Sequence, residues 1–333
     1  MRRLRFLVTG ANGFLGTALV RRLVSSGASV TALVANVDPT RGLFDGTPPL
    51  ASRLDRVVLG DIRDLSAMRV LLAQAEPDIL FHLAALSQVT EVRDVPLEAM
   101  TVNAIGTATI LEAVRLSRTK PQVIVCTSDK VYGFLLPREG PATEETRLRP
   151  SHPYEASKAA ADIIADSFST YYRIDVDVAR MANIYGPGDR NWKRLIPGTL
   201  RSFWLGEPTI IRSDGKKVRE YIYIEDAVEA LMALARPRPD RTARIGSNPW
   251  NFGSGAPMSV LEVWQACVTA MKGLNIECEA PVIAGTATDE ADWLALNSGK
   301  ASRLLNWTAK WTMEDGMRET AEWIGTEAIR WQI

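Results

Sequence analysis

The chain has 333 residues, 46% of them hydrophobic and 23% charged, which is enough apolar surface for one large domain or two closely packed ones. Its 39 basic and 39 acidic side chains cancel, so the net charge favours neither a nucleic-acid nor a membrane partner. The apolar run near the N-terminus is too short for an export signal, and no run approaches the length of a membrane span. Cys126, Cys267 and Cys278 lack metal-ligand spacing, so we expect a reduced cytoplasmic compartment and no metal site.

Short apolar segments alternate with helical patterns through the first half of the chain. The predicted strands are residues 4–8, 30–34, 56–59, 79–82, 123–126 and 176–181. The predicted helices between them are residues 14–26, 65–74, 97–117 and 154–173, and Gly27 follows the first helix where a left-handed cap is favoured. This order predicts an α/β fold with a doubly wound parallel sheet of the Rossmann type, whose ligands bind beyond the carboxyl ends of the strands.

The second half of the chain has a different character. Helices are predicted at residues 195–205 and 225–235, and the second of these could return to the sheet. Residues 37–52 are rich in Pro, Gly and Asp, which predicts an exposed loop. We expect residues 1–186 and about 214–245 to form the dinucleotide-binding domain. Residues 187–213 and 246–333 would form a smaller α/β substrate domain.

A glycine-rich segment follows the first strand and opens the first helix. In this segment Gly10 permits a tight turn, Gly13 lets the backbone approach a pyrophosphate, and Gly16 lets the helix pack on the strand. The free N–H groups and the positive dipole end of the helix favour phosphate binding. We therefore predict that this segment binds NAD through Gly10, Asn12, Gly13, Phe14, Leu15 and Gly16.

Two further strand ends belong to the predicted cofactor site. Asp61, followed by Ile62, could accept a hydrogen bond from the adenine amino group, although Asp64 is the better candidate for a simple helix N-cap. The small residues of Leu83-Ala84-Ala85 would let a ribose lie against the backbone, whereas His82 is more typical of a core histidine. The second strand is followed by Ala35-Asn36, with neither an acid nor an arginine, so this loop leaves NAD against NADP open.

The candidate catalytic residues stand at the fifth strand and on the helix after it. Tyr154 and Lys158 are four residues apart and therefore share a helix face, where a lysine ammonium would favour the phenolate. Tyr154 could then exchange a proton with a substrate hydroxyl. Ser128 ends the fifth strand, and Asp129 and Lys130 directly follow it, at the edge where active residues of this fold belong.

Together these motifs resemble the extended short-chain dehydrogenase/reductase family. Within it they resemble nucleotide-sugar 4,6-dehydratases, and most of all the CDP-glucose 4,6-dehydratases, which carry a segment similar to Thr127-Ser128-Asp129-Lys130. The resemblance extends nearly end to end and includes Phe81-His82-Leu83-Ala84-Ala85, Arg194-Leu195-Ile196-Pro197 and Trp250-Asn251-Phe252-Gly253.

The resemblance implies an activity and a set of site residues. Tyr154, helped by Ser128 and Lys158, would oxidise the sugar at C4 with NAD. Lys130 would then remove the C5 proton, Asp129 would protonate the departing C6 hydroxyl, and the hydride would return to C6. The residues implied to bind the nucleotide sugar are Ser87, Asn183, Arg194, Leu195, Ile196, Arg212 and Arg219.

Several alternatives remain open from the sequence. The nucleotide base, the hexose and the division of proton transfers between Asp129 and Lys130 are undecided. An NAD-dependent 4-epimerase would use the same Ser128, Tyr154 and Lys158 but has no need of the adjacent acid and amine; a keto-sugar reductase and a non-catalytic dinucleotide sensor rank lower. By analogy with relatives, the helices at 97–117 and 154–173 are expected to pair in a homodimer.

Overall fold

The computed structural model describes residues 3–40, 42–236, 246–286 and 291–331. Its strands, in chain order, are β1 Arg5–Thr9, β2 Ser29–Val34, β3 Arg56–Leu59, β4 Ile79–His82, β5 Gln122–Ser128, β6 Val176–Met181, β7 Asn183–Tyr185, β8 Ile210–Ile211, β9 Val218–Arg219, β10 Tyr221–Tyr223, β11 Asn248–Phe252, β12 Met258–Ser259 and β13 Val282–Ile283. Its α-helices are α1 Phe14–Ser25, α2 Leu65–Ala75, α3 Val89–Asp94, α4 Pro96–Ala99, α5 Gly106–Leu116, α6 Pro153–Tyr172, α7 Leu195–Leu205, α8 Ile224–Leu234, α9 Val260–Gly273, α10 Gly299–Leu305 and α11 Met313–Trp331.

A seven-stranded parallel sheet in the order β11-β6-β5-β4-β1-β2-β3 forms the centre of the molecule. The strand order reverses beside β1, as in a doubly wound fold, which confirms the predicted fold class. All six predicted strands are present. The sequence missed β11, whose Asn-Pro-Trp-Asn-Phe pattern alternates poorly, although Trp250 and Phe252 are almost fully buried. The predicted boundary at residue 246 assigns β11 to the substrate domain, whereas in the structure β11 is an edge strand of the main sheet.

The predicted helices are confirmed to within about two residues at their ends. Gly27 has φ +77° and follows α1, and the amide of Ala28 returns to the carbonyl of Leu23, as the predicted left-handed cap requires. The predicted helix at 97–117 contains a π-helical segment, Met100–Ile105, between α4 and α5. No helix in the described part of the chain is long and apolar enough to cross a membrane.

The described part of the chain contains four clusters of buried apolar side chains: one on each face of the sheet, a third that involves α7, α9 and α11, and a small fourth of Val92, Ala99 and Tyr154. The third cluster packs α7, α9 and α11 around side chains such as Leu200, Val263 and Ile324, all fully buried. The two-part domain division itself stays a prediction, and its residues 237–245 lie outside the described ranges.

The loop expected at residues 37–52 differs from the prediction. It contains two short 3-10 helices, Gly42–Phe44 and Leu50–Arg53, and the side chain of Leu43 is fully buried. The amide of Leu43 donates to Oδ1 of Asn12 at 2.8 Å, so the loop is fastened to the glycine-rich segment. The Pro and Gly content correctly predicted turns, but it did not reveal that Leu43 is buried and anchors the loop.

Candidate active site

The glycine turn (residues 10–16) connects β1 to α1 through backbone contacts. Gly10 has φ +68°, and a Cβ there would lie 2.6 Å from the amide nitrogen of Ala84. A Cβ on Gly16 would lie 2.2 Å from the carbonyl oxygen of Gly10. Gly13 is the N-cap of α1 and supplies no side chain, and the first helical turn carries no acid. This turn therefore presents backbone N–H groups and a positive helix end, the arrangement that a pyrophosphate needs.

The other residues predicted to bind the cofactor at this turn contact different parts of the structure. Asn12 uses its side-chain oxygen to hold Leu43. Phe14 lies beside Gly188, where an added Cβ would be 3.5 Å from its ring. Leu15 packs against the apolar interior. The backbone of Leu83 and Ala84 lies directly on Gly10, and Ala85 follows it half-buried, so the fourth strand end is brought to the glycine turn as expected.

The side chain of Asp61 is half exposed and paired with Arg63. Nη2 of Arg63 is 2.6 Å from Oδ2 of Asp61, and this hydrogen bond is the main reason that the pKa of Asp61 is lowered. Ile62 is buried, in contact range of Gly106. Asp64 caps α2 by accepting from the amide of Ala67 at 3.0 Å, which confirms the simple N-cap reading for that residue.

His82 is a core residue, as the sequence favoured. Its ring nitrogens lie 2.8 Å from Thr9 Oγ1 and 3.0 Å from Thr107 Oγ1. Burial, with a smaller effect of the Lys158 charge, lowers the pKa of His82 to about 3, so the ring is neutral at physiological pH. Thr9 also accepts a hydrogen bond from the amide of Ala84 at 3.3 Å, so Thr9 and His82 together support the strand end beside Gly10.

The β5 turn (residues 128–132) carries the predicted acid and amine. Ser128 caps the 3-10 helix Asp129–Tyr132, its Oγ accepting from the amide of Lys130 at 3.2 Å and donating to Oδ1 of Asp129 at 2.9 Å. Asp129 is 1% exposed, and its Oδ2 is buried with no hydrogen-bond partner. Burial is the main cause that raises the pKa of this carboxyl, against the opposing charge of Lys130. Such a carboxyl favours the protonated form and can act as a proton donor.

Helix α6 brings Tyr154 and Lys158 to the same strand end. Both side chains are 7% exposed, and Nζ of Lys158 donates to the carbonyl oxygen of Cys126 at 3.0 Å. Burial raises the pKa of the Tyr154 phenol, while the charge of Arg194 and a hydrogen bond with Ser128 lower it. Burial also lowers the pKa of Lys158. Burial therefore has the largest effect on the phenol pKa, and Arg194 and Ser128 are among the groups that oppose it; that Lys158 favours the phenolate stays a prediction.

The charge of Arg219 reaches the β5 turn, and Asn183 follows β6, the neighbour of β5 in the sheet. Arg219 is 6% exposed, its Nη1 donates to the Val218 carbonyl at 2.8 Å, and its charge lowers the pKa of Asp129. The Asn183 side-chain amide donates to the carbonyl of Glu220 at 3.2 Å. Glu220, which the sequence did not single out, is fully buried and accepts from the amides of Gly255 and Leu296. It connects three chain segments next to Arg219, and only its place beside that arginine could have drawn attention to it.

The remaining residues predicted to bind the substrate differ in how they relate to Tyr154 and Asp129. Nη1 of Arg194 is 3.1 Å from Oδ2 of the buried Asp189, and Arg194 is the N-cap residue of α7. Leu195 is half-buried, and Ile196, 2% exposed, packs in the third cluster. Arg212 and Ser87 are exposed. The structure thus places Arg194 and Arg219 within electrostatic range of the tyrosine and the aspartate, and shows no such link for Arg212 or Ser87.

A buried polar network supports the β5 turn from behind. Arg180 forms a two-point ion pair with Asp162, both distances 2.8 Å, and donates to the Tyr132 hydroxyl at 2.9 Å. That hydroxyl donates to Oδ1 of Asn251 at 2.7 Å, so the hydrogen bond connects the edge strand β11 to the β5 turn. No local pattern in the sequence indicates this network, because its members lie far apart along the chain.

The fold and the site define an NAD-dependent class of enzyme. The profile of the NAD dependent epimerase/dehydratase family matches residues 6–246, and the chain belongs to that family. This confirms the predicted cofactor type.

Individual relatives resemble the chain over almost its whole length. It is 30% identical to a UDP-glucose 4-epimerase of Mycolicibacterium smegmatis, over 96% of this chain and 98% of that protein. It is 29% identical to a dTDP-glucose 4,6-dehydratase of Xanthomonas campestris pv. campestris, over 96% and 92%. The crystal structure of a dTDP-glucose 4,6-dehydratase from Bacillus anthracis in complex with NAD superposes with a TM-score of 0.84 at 26% identity and covers 99% of both chains. Dehydratases and epimerases therefore both stand among the relatives, at similar identity.

Proposed function

We propose that the protein is a nucleotide-sugar 4,6-dehydratase that uses NAD and converts an NDP-hexose into an NDP-4-keto-6-deoxyhexose. The observation that carries this proposal is the buried Asp129 carboxyl, with a raised pKa, an unpartnered Oδ2 and Lys130 beside it in the chain. A 4-epimerase needs only the tyrosine, serine and lysine, and a buried acid is costly to keep without a use. Water elimination needs both a proton donor and a base.

The glycine turn, α1 and the Leu83–Ala85 backbone would hold NAD. The fit rests on Gly10 and Gly16, where any Cβ would collide with backbone, and on the uncapped start of α1, which leaves amides for a pyrophosphate. When bound, NAD supplies a hydride acceptor at C4 of the sugar and later a hydride donor at C6. Tyr154 and Lys158 would stand beside the nicotinamide end.

Tyr154 would take the proton of the C4 hydroxyl. Its raised pKa means that the phenol needs help to act as a base, and Ser128 and Arg194 are the groups that stabilise the phenolate. The Ser128 hydroxyl donates to Asp129 in the structure and lies close enough to Tyr154 to lower its pKa; turning its proton to the phenolate would join the oxidation and elimination parts of the site. Lys158 would orient the cofactor ribose while its ammonium is held by the Cys126 carbonyl.

Asp129 and Lys130 would perform the elimination. The 4-ketone acidifies the C5 proton, which Lys130 would remove. Asp129, whose pKa burial raises, would give its proton to the departing C6 hydroxyl, so that one water leaves. As the hydride returns to C6, the protonated Lys130 would give a proton back to C5, and Asp129 would take up a proton from solvent before the next turnover. Arg219, whose charge reaches Asp129, would bind the diphosphate together with Asn183.

The substrate proposal is CDP-glucose or a close relative, with the nucleotide held by Arg194, Leu195, Ile196, Arg212 and Ser87. Of these residues, Arg194 has the strongest structural support, because Asp189 orients its guanidinium and its charge reaches Tyr154. Ile196 is buried in the third cluster, so it would contribute through its backbone or by shaping the pocket floor.

The assay is a panel of CDP-, dTDP-, GDP- and UDP-hexoses followed by product mass. Loss of one water supports the dehydratase, whereas an unchanged mass with a new C4 isomer establishes the epimerase instead. Asp129→Asn should lower the dehydration rate about 10²–10⁴-fold, since it removes a general acid, while NAD binding is retained. Lys130→Ala should abolish the exchange of solvent deuterium into C5; normal exchange in that variant would contradict the assigned base.

We also propose a cytoplasmic homodimer. The three cysteines are free, in keeping with a reduced compartment. Leu97, Ile105 and Ile163, on the α4–α5 segment and on α6, are more than half exposed, and a second copy packed on these helices would cover them. Sedimentation of the purified protein tests this; a monomer at micromolar concentration, with Ile163→Glu unchanged, would contradict it.

A further inference from the structure

We propose that Asp189 is a positioning residue of the substrate site, which fixes the Arg194 guanidinium so that it binds the phosphate attached to the sugar. The inference rests on the proposed function, in which Arg194 binds the nucleotide part of the substrate. Asp189 lies in the connection between β7 and α7, ahead of Arg194 in the chain.

The two partners of the Asp189–Arg194 ion pair differ in exposure. The side chain of Asp189 is 4% exposed, whereas that of Arg194 is 39% exposed. Oδ2 of Asp189 is 3.1 Å from Nη1 of Arg194, and its Oδ1 accepts from the amide of Asn191 at 3.0 Å. Both carboxylate oxygens are therefore bound inside the protein, while part of the arginine side chain remains accessible to a ligand.

The buried carboxylate depends on this arginine for its charge. Burial raises the pKa of Asp189, and the charge of Arg194 is the largest effect that opposes it. The neighbouring Arg190 pairs with Asp45 and Glu327 instead. Among the described residues, Arg194 is therefore the ion-pair partner of Asp189, and an acid buried there would be costly without it.

The backbone around the pair is held by its own hydrogen bonds. The amide of Asp189 donates to the carbonyl of Gly186 at 3.3 Å. The amide of Arg194 donates to the carbonyl of Asn191 at 2.9 Å, and its carbonyl accepts from the amide of Gly198 at 3.0 Å in α7. Because the backbone of Arg194 is fixed in this way, the ion pair with Asp189 sets the direction of its guanidinium.

Arg194 retains hydrogen-bond donors for an anion. Among the described residues, only its Nη1 forms a side-chain hydrogen bond, so the edge formed by Nε and Nη2 remains for a ligand. Such an edge binds two oxygens of one phosphate at once. Burial raises the pKa of Tyr154, and the charge of Arg194 is the largest effect that opposes it, so the guanidinium lies toward the reacting end of the site. The phosphate that carries the sugar is the one nearest to that end.

The test is calorimetric titration of the full chain, saturated with NAD, with CDP, dTDP, GDP and UDP and with the matching monophosphates. For the tightest diphosphate, Asp189→Asn should weaken binding by about tenfold and should change binding of the matching monophosphate by less than about threefold. The reason is that the monophosphate lacks the phosphate that Arg194 binds. Glu207→Gln removes an exposed carboxylate that pairs with Arg201 near the other end of α7; it is the matched control and should change neither affinity.

A double-mutant cycle separates positioning from general damage to the site. Arg194→Ala should weaken the diphosphate at least as much as Asp189→Asn does. The double variant should be within about twofold of Arg194→Ala, because Asp189 acts through the arginine. Thermal unfolding of each variant checks folding. If a single variant does not fold, Asp189→Glu or Arg194→Lys takes its place, since each keeps the charge of the pair but displaces it, and the same direction is expected.

Three results would overturn the proposal: no binding of any of the four diphosphates to the wild type, equal weakening of diphosphate and monophosphate by Asp189→Asn, or additive losses in the cycle. Equal weakening would show that Asp189 only supports the local fold. The titrations need neither a hexose nor turnover, so a failed dehydratase assay and a failed positioning proposal remain distinguishable.

Discussion

The glycine turn and the β5 turn stand at strand ends of the same sheet, two strands apart, but they are held by different forces. The glycine turn is fixed by backbone packed on backbone, with Gly16 against the Gly10 carbonyl. The β5 turn is fixed by buried polar side chains, with Arg180, Asp162 and Tyr132 behind it. It also carries Asp129, a carboxyl whose pKa is raised by burial. Steric room therefore limits change at the glycine turn, and charge balance limits it at the β5 turn.

The largest effect should come from breaking the backbone contact. Gly16→Ala places a methyl group 2.2 Å from the carbonyl oxygen of Gly10, a backbone atom that cannot turn aside. We expect a loss of more than about 4 kcal/mol of folding free energy or no soluble protein, and no NAD binding. The control is Gly273→Ala at the end of α9, where nothing lies within 4 Å and the stability should change by no more than about 1 kcal/mol. Denaturant unfolding and calorimetry measure both; equal effects would contradict the packing argument.

The second effect tests the charge balance behind the β5 turn. Asp162→Asn leaves the guanidinium of Arg180, 6% exposed, without its carboxylate, and we expect a loss of about 3–5 kcal/mol. Asp61→Asn removes the half-exposed pair with Arg63 and should cost less than about 1 kcal/mol. If urea unfolding showed similar losses for the two variants, burial would not be what gives the Arg180 pair its importance.

The smallest effect concerns Asp129 and has the opposite sign. Burial raises its folded pKa above the ordinary 3.8, so the folded state binds the proton more tightly than the unfolded state. The aspartate therefore costs no stability below about pH 3.8 and an increasing amount as the pH rises toward its folded pKa, above which the cost is constant. Asp129→Asn should be more stable than the wild type near pH 7, by on the order of 1–3 kcal/mol, and about equal near pH 4.

Asp64→Asn is the matched control for this pH dependence. Hydrogen bonds from Ser66 and Ala67 lower the pKa of the exposed Asp64, so its contribution is present above the ordinary pKa and is lost as the pH falls through the lowered one. Its replacement should reduce stability near neutral pH. Thermal unfolding between pH 4 and pH 8 measures both variants; a wild type more stable than Asp129→Asn at pH 7 would show that the carboxylate is paired in solution.

The sequence alone determined the local elements and the residue types of the site. Periodic apolar segments fixed six strands of the sheet, because alternation and crossover helices are local properties, and the glycine spacing predicted a turn whose Cβ atoms would collide. Spacing predicts Ser128, Asp129, Tyr154 and Lys158 as candidate site residues, since parallel strands bring their carboxyl ends to one edge. His82 and Asp64 were predicted as structural residues for the same local reasons.

The tertiary structure decided what depends on burial and on distant partners. It placed β11 in the sheet despite its weak pattern and buried Leu43 in a loop that looked polar. It also assigned the charge balance of the site: Arg194 and Ser128 are among the groups that oppose the burial of Tyr154, and Glu220 and Arg180 have roles that no local pattern signals. A pKa and a buried ion pair are set by solvent exclusion and by neighbours far along the chain, and those quantities exist only once the chain has folded.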